Sequence, residues 1–278
     1  MNQGIAPEEF DLLRNLVEKE CGIALSKDKV YLIETRLARL IAENSCTSYG
    51  DLYTKAKNDS KIRDKIIDAM TTNETLWFRD VTPYNILKEV IFPEYEEKLK
   101  IGGKIKIWSA ACSTGQEPYS IMISFLEYIK GRGLPQYLTS SISITATDIS
   151  PSVIAVAKIA RYNGLSLSRG LPEEYKDSYF NKQGNVWALN DEVKKSVSFQ
   201  VLNLQNSFSS LGKYDIIFLR NVAIYFSTEF KKDLYSRLAN SLNPNGNFFL
   251  GAAESLGGLN NDFKMKQHGR GVYYKLIT

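Results

Sequence analysis

The sequence predicts an α/β protein in which a small helical domain precedes a mostly parallel sheet covered by helices on both faces. Two observations lead to this prediction. Residues 1–80 carry apolar residues at helical spacing and no alternating strand pattern. From residue 103 onward, short apolar runs alternate with helical stretches, the order typical of parallel strands joined by crossover helices. We therefore expect domains at 1–80 and 103–278, joined by a linker helix at 81–102.

The helical domain is predicted from apolar residues that recur every three or four positions. Such sets occur within 10–17, 30–41 and 62–70, and each would give a helix one buried face. In the linker, Thr82-Pro83 predicts a helix start, with Thr82 as the cap and Pro83 in the first turn. Pro93 predicts a break or a kink in that helix.

The larger domain is predicted strand by strand. Strands are expected at 105–108, 142–147, 197–202, 214–219 and 248–251, followed by a terminal hairpin within 263–277. A helix at 228–242 should end at the turn 243–246. Residues 163–196 fit the alternation poorly, since they are rich in Gly, Ser, Asn and charge, and we expect them to form a small β insertion.

Composition excludes several classes of function. Three widely spaced cysteines and one histidine make a disulfide framework, a zinc site or a catalytic triad improbable, so we expect no metal. A net charge of +4 is too small to indicate a nucleic-acid partner. The chain has no apolar run long enough for a membrane span and its start lacks a signal-peptide pattern, so we expect a cytoplasmic protein without direct membrane insertion.

Polar residues follow the predicted strands, where ligands bind in open parallel sheets. The loop 109–118 is rich in small residues but lacks the GxGxxG pattern of a dinucleotide site, which favours an adenosine-type ligand without a pyrophosphate. Asp148 could accept hydrogen bonds from a ribose or cap the next helix. Tyr225 could serve a ligand or simply pack. Residues 72–80 mix polar and aromatic side chains at the domain junction, where either a ligand site or interdomain packing is expected.

Four segments together resemble the CheR family of chemotaxis receptor methyltransferases. They are 73–80, 108–121, 146–150 and 220–226, and their order and spacing match as well. The resemblance extends over nearly the whole chain. It implies a Rossmann-like, S-adenosylmethionine-dependent methyltransferase sheet and esterification of glutamate side chains, with S-adenosylhomocysteine as the product.

The resemblance also implies roles for individual residues. The positions similar to the family's cofactor contacts are Asn73, Thr75, Arg79, Glu117, Asp148, Asn203, Leu204, Asn221 and Val222. Arg79 and Tyr225 resemble the pair that positions the substrate carboxylate. Arg36 and Arg39 are similar to the basic patch that docks the receptor, although a solvated helix face is the alternative. Gln116 stands where the family commonly has glutamate, which would change the charge beside the cofactor.

The implied partner is the cytoplasmic helical bundle of methyl-accepting chemotaxis receptors. The segment 181–196 looks shorter than in members that bind a receptor's C-terminal pentapeptide, so we expect no such tether, and we expect a monomer. Three alternatives stay open: a nucleotide-dependent oxidoreductase, a methyltransferase acting on another acceptor such as RNA or a small molecule, and a non-catalytic signalling module.

Overall fold

The N-terminal helices form because amphipathic segments bury one face against each other. In the computed structural model, which describes residues 4–277, these helices are α1 (Pro7–Cys21), α2 (Val30–Glu43), α3 (Tyr49–Asn58) and α4 (Ser60–Met70). Their apolar side chains, including Leu13, Ile33 and Ile66, lie in one hydrophobic cluster. The prediction of a small all-α N-terminal domain is confirmed.

The linker helix corrects two expectations. It runs through α5 (Thr82–Ile86), a π-helical turn at Leu87–Ile91 and α6 (Phe92–Lys100). Val81 rather than Thr82 occupies the N-cap, and no side chain caps the helix. The chain stays helical through Pro93, which lies in the first turn of α6 directly after the wider π turn.

Ten strands and six further α-helices follow in the described chain. The strands are β1 (Ile105–Ala110), β2 (Ile142–Asp148), β3 (Arg161–Asn163), β4 (Phe180–Gln183), β5 (Val186–Leu189), β6 (Val197–Val201), β7 (Tyr214–Leu219), β8 (Leu242–Leu250), β9 (Phe263–His268) and β10 (Gly271–Leu276). The helices are α7 (Gln116–Gly131), α8 (Pro151–Ile159), α9 (Gly164–Ser168), α10 (Glu173–Tyr179), α11 (Asp191–Lys194) and α12 (Thr228–Asn240).

Seven strands form the main sheet, in the order β6-β2-β1-β7-β8-β10-β9. β6, β2, β1, β7 and β8 pair in parallel, whereas β10 runs antiparallel to β8 and β9. The central strands are almost entirely buried, which explains their continuous apolar sequence. The predicted mostly parallel sheet and the terminal hairpin are confirmed.

The predicted turn at 243–246 lies inside a strand. Tyr214 pairs with Leu242 and Ile216 with Asn247, so the residues between Leu242 and Asn247 bulge out of the ladder. Asn245 has a φ of 58°, as expected for a tight turn. Because pairing resumes on both sides, β8 extends over Leu242–Leu250 rather than starting at 248.

The β insertion is a separate antiparallel sheet of three strands in the order β3-β5-β4. It packs on Trp77, whose fully buried ring meets Tyr162 and Phe180 edge to face at centroid distances of 5.1 and 5.3 Å. Gly170 permits this approach, since a Cβ there would lie 2.1 Å from the carbonyl oxygen of Trp77. The insertion therefore braces the segment that joins the helical domain to the sheet.

Candidate functional site

A cavity lies at the carboxyl ends of the parallel strands, beside the helical domain. β1 stands between β2 and β7, which is the position where an open sheet changes winding direction and leaves a crevice. The lining residues are Cys21, Ile23, Thr71–Leu76, Arg79, Ala111–Ser113, Glu117, Asp148, Ile149, Leu202–Leu204, Arg220–Val222, Tyr225 and Phe226. All ten residues predicted from sequence as cofactor-binding or catalytic are among these lining residues.

The loop after β1 is held by Asp148, at the end of β2. The Asp148 carboxylate accepts hydrogen bonds from the backbone N–H of Ser113 at 2.8 Å and of Ser150 at 3.0 Å. Burial raises the pKa of Asp148, while these backbone donors act in the opposite direction. The cap of α8 is the Ser150 side chain, which accepts from the Val153 N–H, so Asp148 is not the capping residue.

Glu117 sits in the first turn of α7 and is joined to a buried arginine. Its Oε1 accepts from the Ser109 hydroxyl at 2.7 Å, and its Oε2 accepts from Arg220 Nη1 at 3.0 Å. Burial raises the pKa of Glu117, an effect that the charge of Arg220 and the Ser109 hydroxyl offset in part. The neighbouring Gln116 points elsewhere, since its amide bonds the hydroxyls of Thr114 and Ser166.

Residues 71–81 cross the cavity and carry Arg79 in a strained turn. Phe78, Asp80 and Val81 have φ values of 46°, 68° and 55°, in the left-handed region. Each such residue costs of order 1–3 kcal/mol, and a β-branched residue there is unusual. Ser113 Oγ holds the start of the segment by donating to the Asn73 carbonyl at 2.8 Å, and Ser120 Oγ accepts from the Phe78 N–H at 3.1 Å.

The two aromatic residues of this segment pack away from the cavity. Trp77 contacts the β insertion, and Phe78 meets Tyr84 at a centroid distance of 5.1 Å. The polar residues Asn73, Thr75 and Arg79 line the cavity. The segment thus combines aromatic side chains that pack in the core with polar side chains that line the cavity.

The loop after β7 is organised by a glutamate that sequence reasoning missed. Asn221 has a φ of 59°, and Glu254 Oε2 accepts from its N–H at 2.6 Å and from the Gly251 N–H at 2.8 Å. Oε1 accepts from the Ile224 N–H at 3.2 Å. Glu254 thereby fixes the backbone that presents Asn221 and Tyr225. The available clue was a carboxylate four residues past the end of β8, at the same edge of the sheet.

We expect Glu254→Gln to weaken binding of S-adenosylhomocysteine, the ligand that the sequence resemblance implies, by about tenfold, because the amide NH2 replaces an acceptor that faces backbone donors. Titration calorimetry measures the change. Glu89→Gln, which alters an exposed contact with His268, is the matched control and should leave the affinity unchanged. Equal affinity in Glu254→Gln and the wild type would show that the loop does not depend on this carboxylate.

The helical domain closes the cavity through its first helix. Asn203 Nδ2 donates to the Glu20 carbonyl at 2.6 Å, and Gln205 Nε2 donates to the Glu18 carbonyl at 3.1 Å, so both satisfy carbonyls at the end of α1. Gly22 follows with a φ of 76°, and a Cβ there would lie 2.5 Å from the Phe230 ring. Because Asn203 Oδ1 also accepts from the Gln205 N–H, both polar atoms of the Asn203 side chain have protein partners.

The two arginines predicted for docking have different surroundings on α2. Arg36 is half-buried, and its guanidinium bonds the carbonyls of Met70 and Thr71 at 2.6 and 3.2 Å and the Thr72 hydroxyl at 2.9 Å. Arg36 therefore caps the end of α4 and supports the segment that enters the cavity. Arg39 is 86% exposed and pairs with Glu43 at 2.6 Å.

The described residues 4–277 offer no cluster of His, Cys, Asp and Glu side chains suited to a metal ion. Within the same range, none of the helices combines the length and apolar character that a membrane span requires. His268, the one histidine of the chain, contacts Glu89 and is not part of the cavity lining.

Comparisons with known proteins cover nearly the whole chain. Residues 8–71 match the family described as CheR methyltransferase, all-alpha domain, and residues 73–272 match CheR methyltransferase, SAM binding domain. Chemotaxis protein methyltransferase 1 of Pseudomonas aeruginosa is 42% identical over 272 residues, covering 97% of this chain and 98% of that protein. The chemotaxis protein methyltransferase of Vibrio parahaemolyticus is 42% identical over 275 residues, 98% of each chain. That of Listeria innocua is 30% identical over 249 residues, 90% of each.

Proposed function

The chain belongs to the CheR methyltransferase family, and on that premise we propose that its cavity aligns a receptor glutamate with the methyl group of S-adenosylmethionine. The reaction is methyl transfer to the glutamate carboxylate, which yields a methyl ester and S-adenosylhomocysteine. The observation that carries the proposal is the convergence of all ten predicted residues, from five separate stretches of sequence, on one cavity at the carboxyl ends of the strands.

The residues of the cavity fit this cofactor. Its ribose hydroxyls and its ammonium group are hydrogen-bond donors, and Asp148 and Glu117 supply carboxylate acceptors on the same wall. Among the described residues, Asn221 Oδ1 is a buried oxygen without a hydrogen-bond partner. A buried acceptor of this kind calls for a donor, which a bound cofactor can supply. We assign Asn73, Thr75, Arg79, Asn203, Leu204 and Val222 to the rest of the cofactor site.

The receptor glutamate, which accepts the methyl group, needs alignment rather than chemical activation. The cofactor supplies an electrophilic methyl group on a sulfonium. A glutamate carboxylate with an ordinary pKa of about 4.3 is already ionised near neutral pH, so no general base is required. Holding two reactants in position is worth roughly 7–11 kcal/mol. We assign this work to Arg79 and Tyr225, with Arg79 orienting the carboxylate and Tyr225 donating to one of its oxygens.

Arg79 has the freedom to take this role. Among the described residues, its side chain makes one hydrogen bond, a long 3.4 Å contact from Nη1 to the Glu74 carbonyl. Its charge also acts on Glu117, where it opposes the effect of burial on the pKa. A cation in this setting can face both the cofactor and an incoming carboxylate. A tight ion pair would weaken the nucleophile, so Arg79 serves mainly to organise the two reactants.

The proposed partner is the cytoplasmic helical bundle of methyl-accepting chemotaxis receptors, which places the enzyme in the cytoplasm. A region that presents glutamates as substrates is acidic, and complementary positive charge speeds association with it. We assign direct docking to the exposed Arg39 on α2. Arg36 belongs to the same docking face and additionally holds the end of α4. A monomer that uses no pentapeptide tether remains our prediction.

Arg39→Glu should raise the KM for a receptor cytoplasmic fragment about fivefold to tenfold and leave cofactor affinity unchanged, because a charge at the rim of an interface acts mainly on association. Steady-state methyl transfer at two salt concentrations measures this. Arg132→Glu is the matched control, since Arg132 is also exposed and paired with a glutamate, Glu96. A KM that does not respond to Arg39→Glu would remove Arg39 from the docking surface.

The proposed function is tested by incubating the protein with labelled S-adenosylmethionine and a receptor cytoplasmic fragment. Label should enter glutamate-containing peptides, be identified there by mass spectrometry, and be released by mild alkali as expected for an ester. Alkali-stable label would indicate an amide or ether product and hence another acceptor. Cofactor binding without transfer to any receptor fragment would indicate a non-catalytic module.

A further inference from the structure

Arg220 connects two walls of the cavity that are far apart in sequence. The residue follows β7 directly, and its side chain is 2% exposed. Nη1 donates to Glu117 Oε2 at 3.0 Å, while Nη2 donates to Asp80 Oδ2 at 2.7 Å and to the Arg79 carbonyl at 2.9 Å. The planar guanidinium thus makes charged contacts with α7 on one side and with the Arg79 turn on the other.

The local sequence does not favour the backbone conformation of the turn that receives these contacts. Phe78, Asp80 and Val81 all have positive φ, and the segment contains no glycine. Conformations of this kind persist where the surroundings over-determine them. Two of the contacts that fix the turn come from Arg220, one to the backbone of Arg79 and one to the side chain of Asp80.

We infer that Arg220 is a positioning residue. It links Glu117 on α7 to the turn at 78–81 and so holds Arg79 where the acceptor carboxylate binds. The inference rests on the proposed role of Arg79. Glu117 is one of the residues assigned to the cofactor, whereas Arg79 is assigned both to the cofactor site and to the acceptor. Arg220 contacts Glu117 and the Arg79 carbonyl through a single rigid guanidinium. The side of the cavity that binds the methyl donor and the side that binds the methyl acceptor therefore keep a fixed relative position.

Asp80→Asn is the variant that tests this inference. Asparagine adopts positive φ more readily than other residues, so the backbone of the turn is preserved while the charge that anchors Arg220 is lost. Asp80 is 30% exposed, which limits the effect on folding. We expect kcat to fall about tenfold, because small displacements of an aligning group slow transfer strongly. The dissociation constant of S-adenosylhomocysteine should change less than about twofold.

A double-mutant cycle with Arg79→Lys separates positioning from a general structural effect. If Asp80 and Arg220 act through Arg79, Asp80→Asn should lower kcat less than about twofold in the Arg79→Lys background, since the aligning group is already impaired. Glu94→Gln removes a more exposed ion pair, with Lys275, away from the cavity and should leave kcat unchanged in both backgrounds.

Two results would overturn the inference in an active wild-type enzyme. One is an equal loss of kcat in both backgrounds, and the other is an unchanged kcat in Asp80→Asn. Failure of the proposed function has a different signature, because the wild type itself would then transfer no methyl group to receptor glutamates. Should Asp80→Asn prove unstable, the same cycle with Arg220→Lys applies, since one ammonium cannot serve Glu117 and Asp80 with the geometry of the fork.

Discussion

Arg79→Ala lowers the single-turnover rate of methyl transfer by about 100-fold or more, because alignment of the two reactants is the main catalytic contribution of the protein. Cofactor affinity falls by a smaller factor, since several other residues line the same cavity. Rapid-quench measurement with saturating labelled cofactor and receptor fragment separates the chemical step from binding.

Arg132→Ala is the control for this experiment. It removes an exposed arginine, which pairs with Glu96, at a site outside the cavity. Its rate should equal that of the wild type. Full turnover by Arg79→Ala under single-turnover conditions would contradict the assignment of Arg79, and the alignment would then have to come from Tyr225 and the acceptor's own docking.

Arg220→Met destabilises the protein by about 3–5 kcal/mol at neutral pH, because removal of one partner from a buried ion pair leaves a charge without compensation. The charge in question is Glu117, whose side chain is 12% exposed. Urea denaturation followed by circular dichroism measures the free energy of unfolding. Arg132→Met provides a surface control, for which we expect little change.

The loss of stability in Arg220→Met should be smaller at pH 5 than at pH 8. Burial already raises the pKa of Glu117 in the wild type, and the variant lacks the guanidinium that opposes this rise. The folded variant therefore holds a proton on Glu117 at pH values where the unfolded chain has released it. Since the folded state then binds more protons, its stability increases as pH falls. A loss independent of pH would show that Arg220 acts through packing alone.

The alternation of strands and helices was predictable because fully buried parallel strands leave continuous apolar runs. The irregular features were not. The bulge within β8 looks like an ordinary turn in sequence, since Asn243–Gly246 has turn composition, and only the pairing of Asn247 with Ile216 shows that the strand continues. Likewise Pro93 predicts a break or a kink, whereas the chain stays helical there and carries a π turn at Leu87–Ile91.

The candidate site was predictable where a residue lies at or just beyond the end of its strand, as for Asp148 and Asn221. Its supporting contacts were not, because they join positions distant in sequence. Arg220 meets Glu117 across 103 residues, and Glu254 meets Asn221 across 33. Arg36 has the spacing of a surface pair with Arg39, yet its partners are the carbonyls at the end of α4, 34 and 35 residues away. Such pairings arise only once the chain has folded.

A crystal structure of the protein with S-adenosylhomocysteine tests most directly whether the methyl donor occupies the space between the helical domain and the sheet. We predict density bounded by the segment at 71–79 on one side and the ends of β1, β2 and β7 on the other, with the ribose at Asp148. Density at any other place, or no binding at millimolar concentrations of the product, would contradict it.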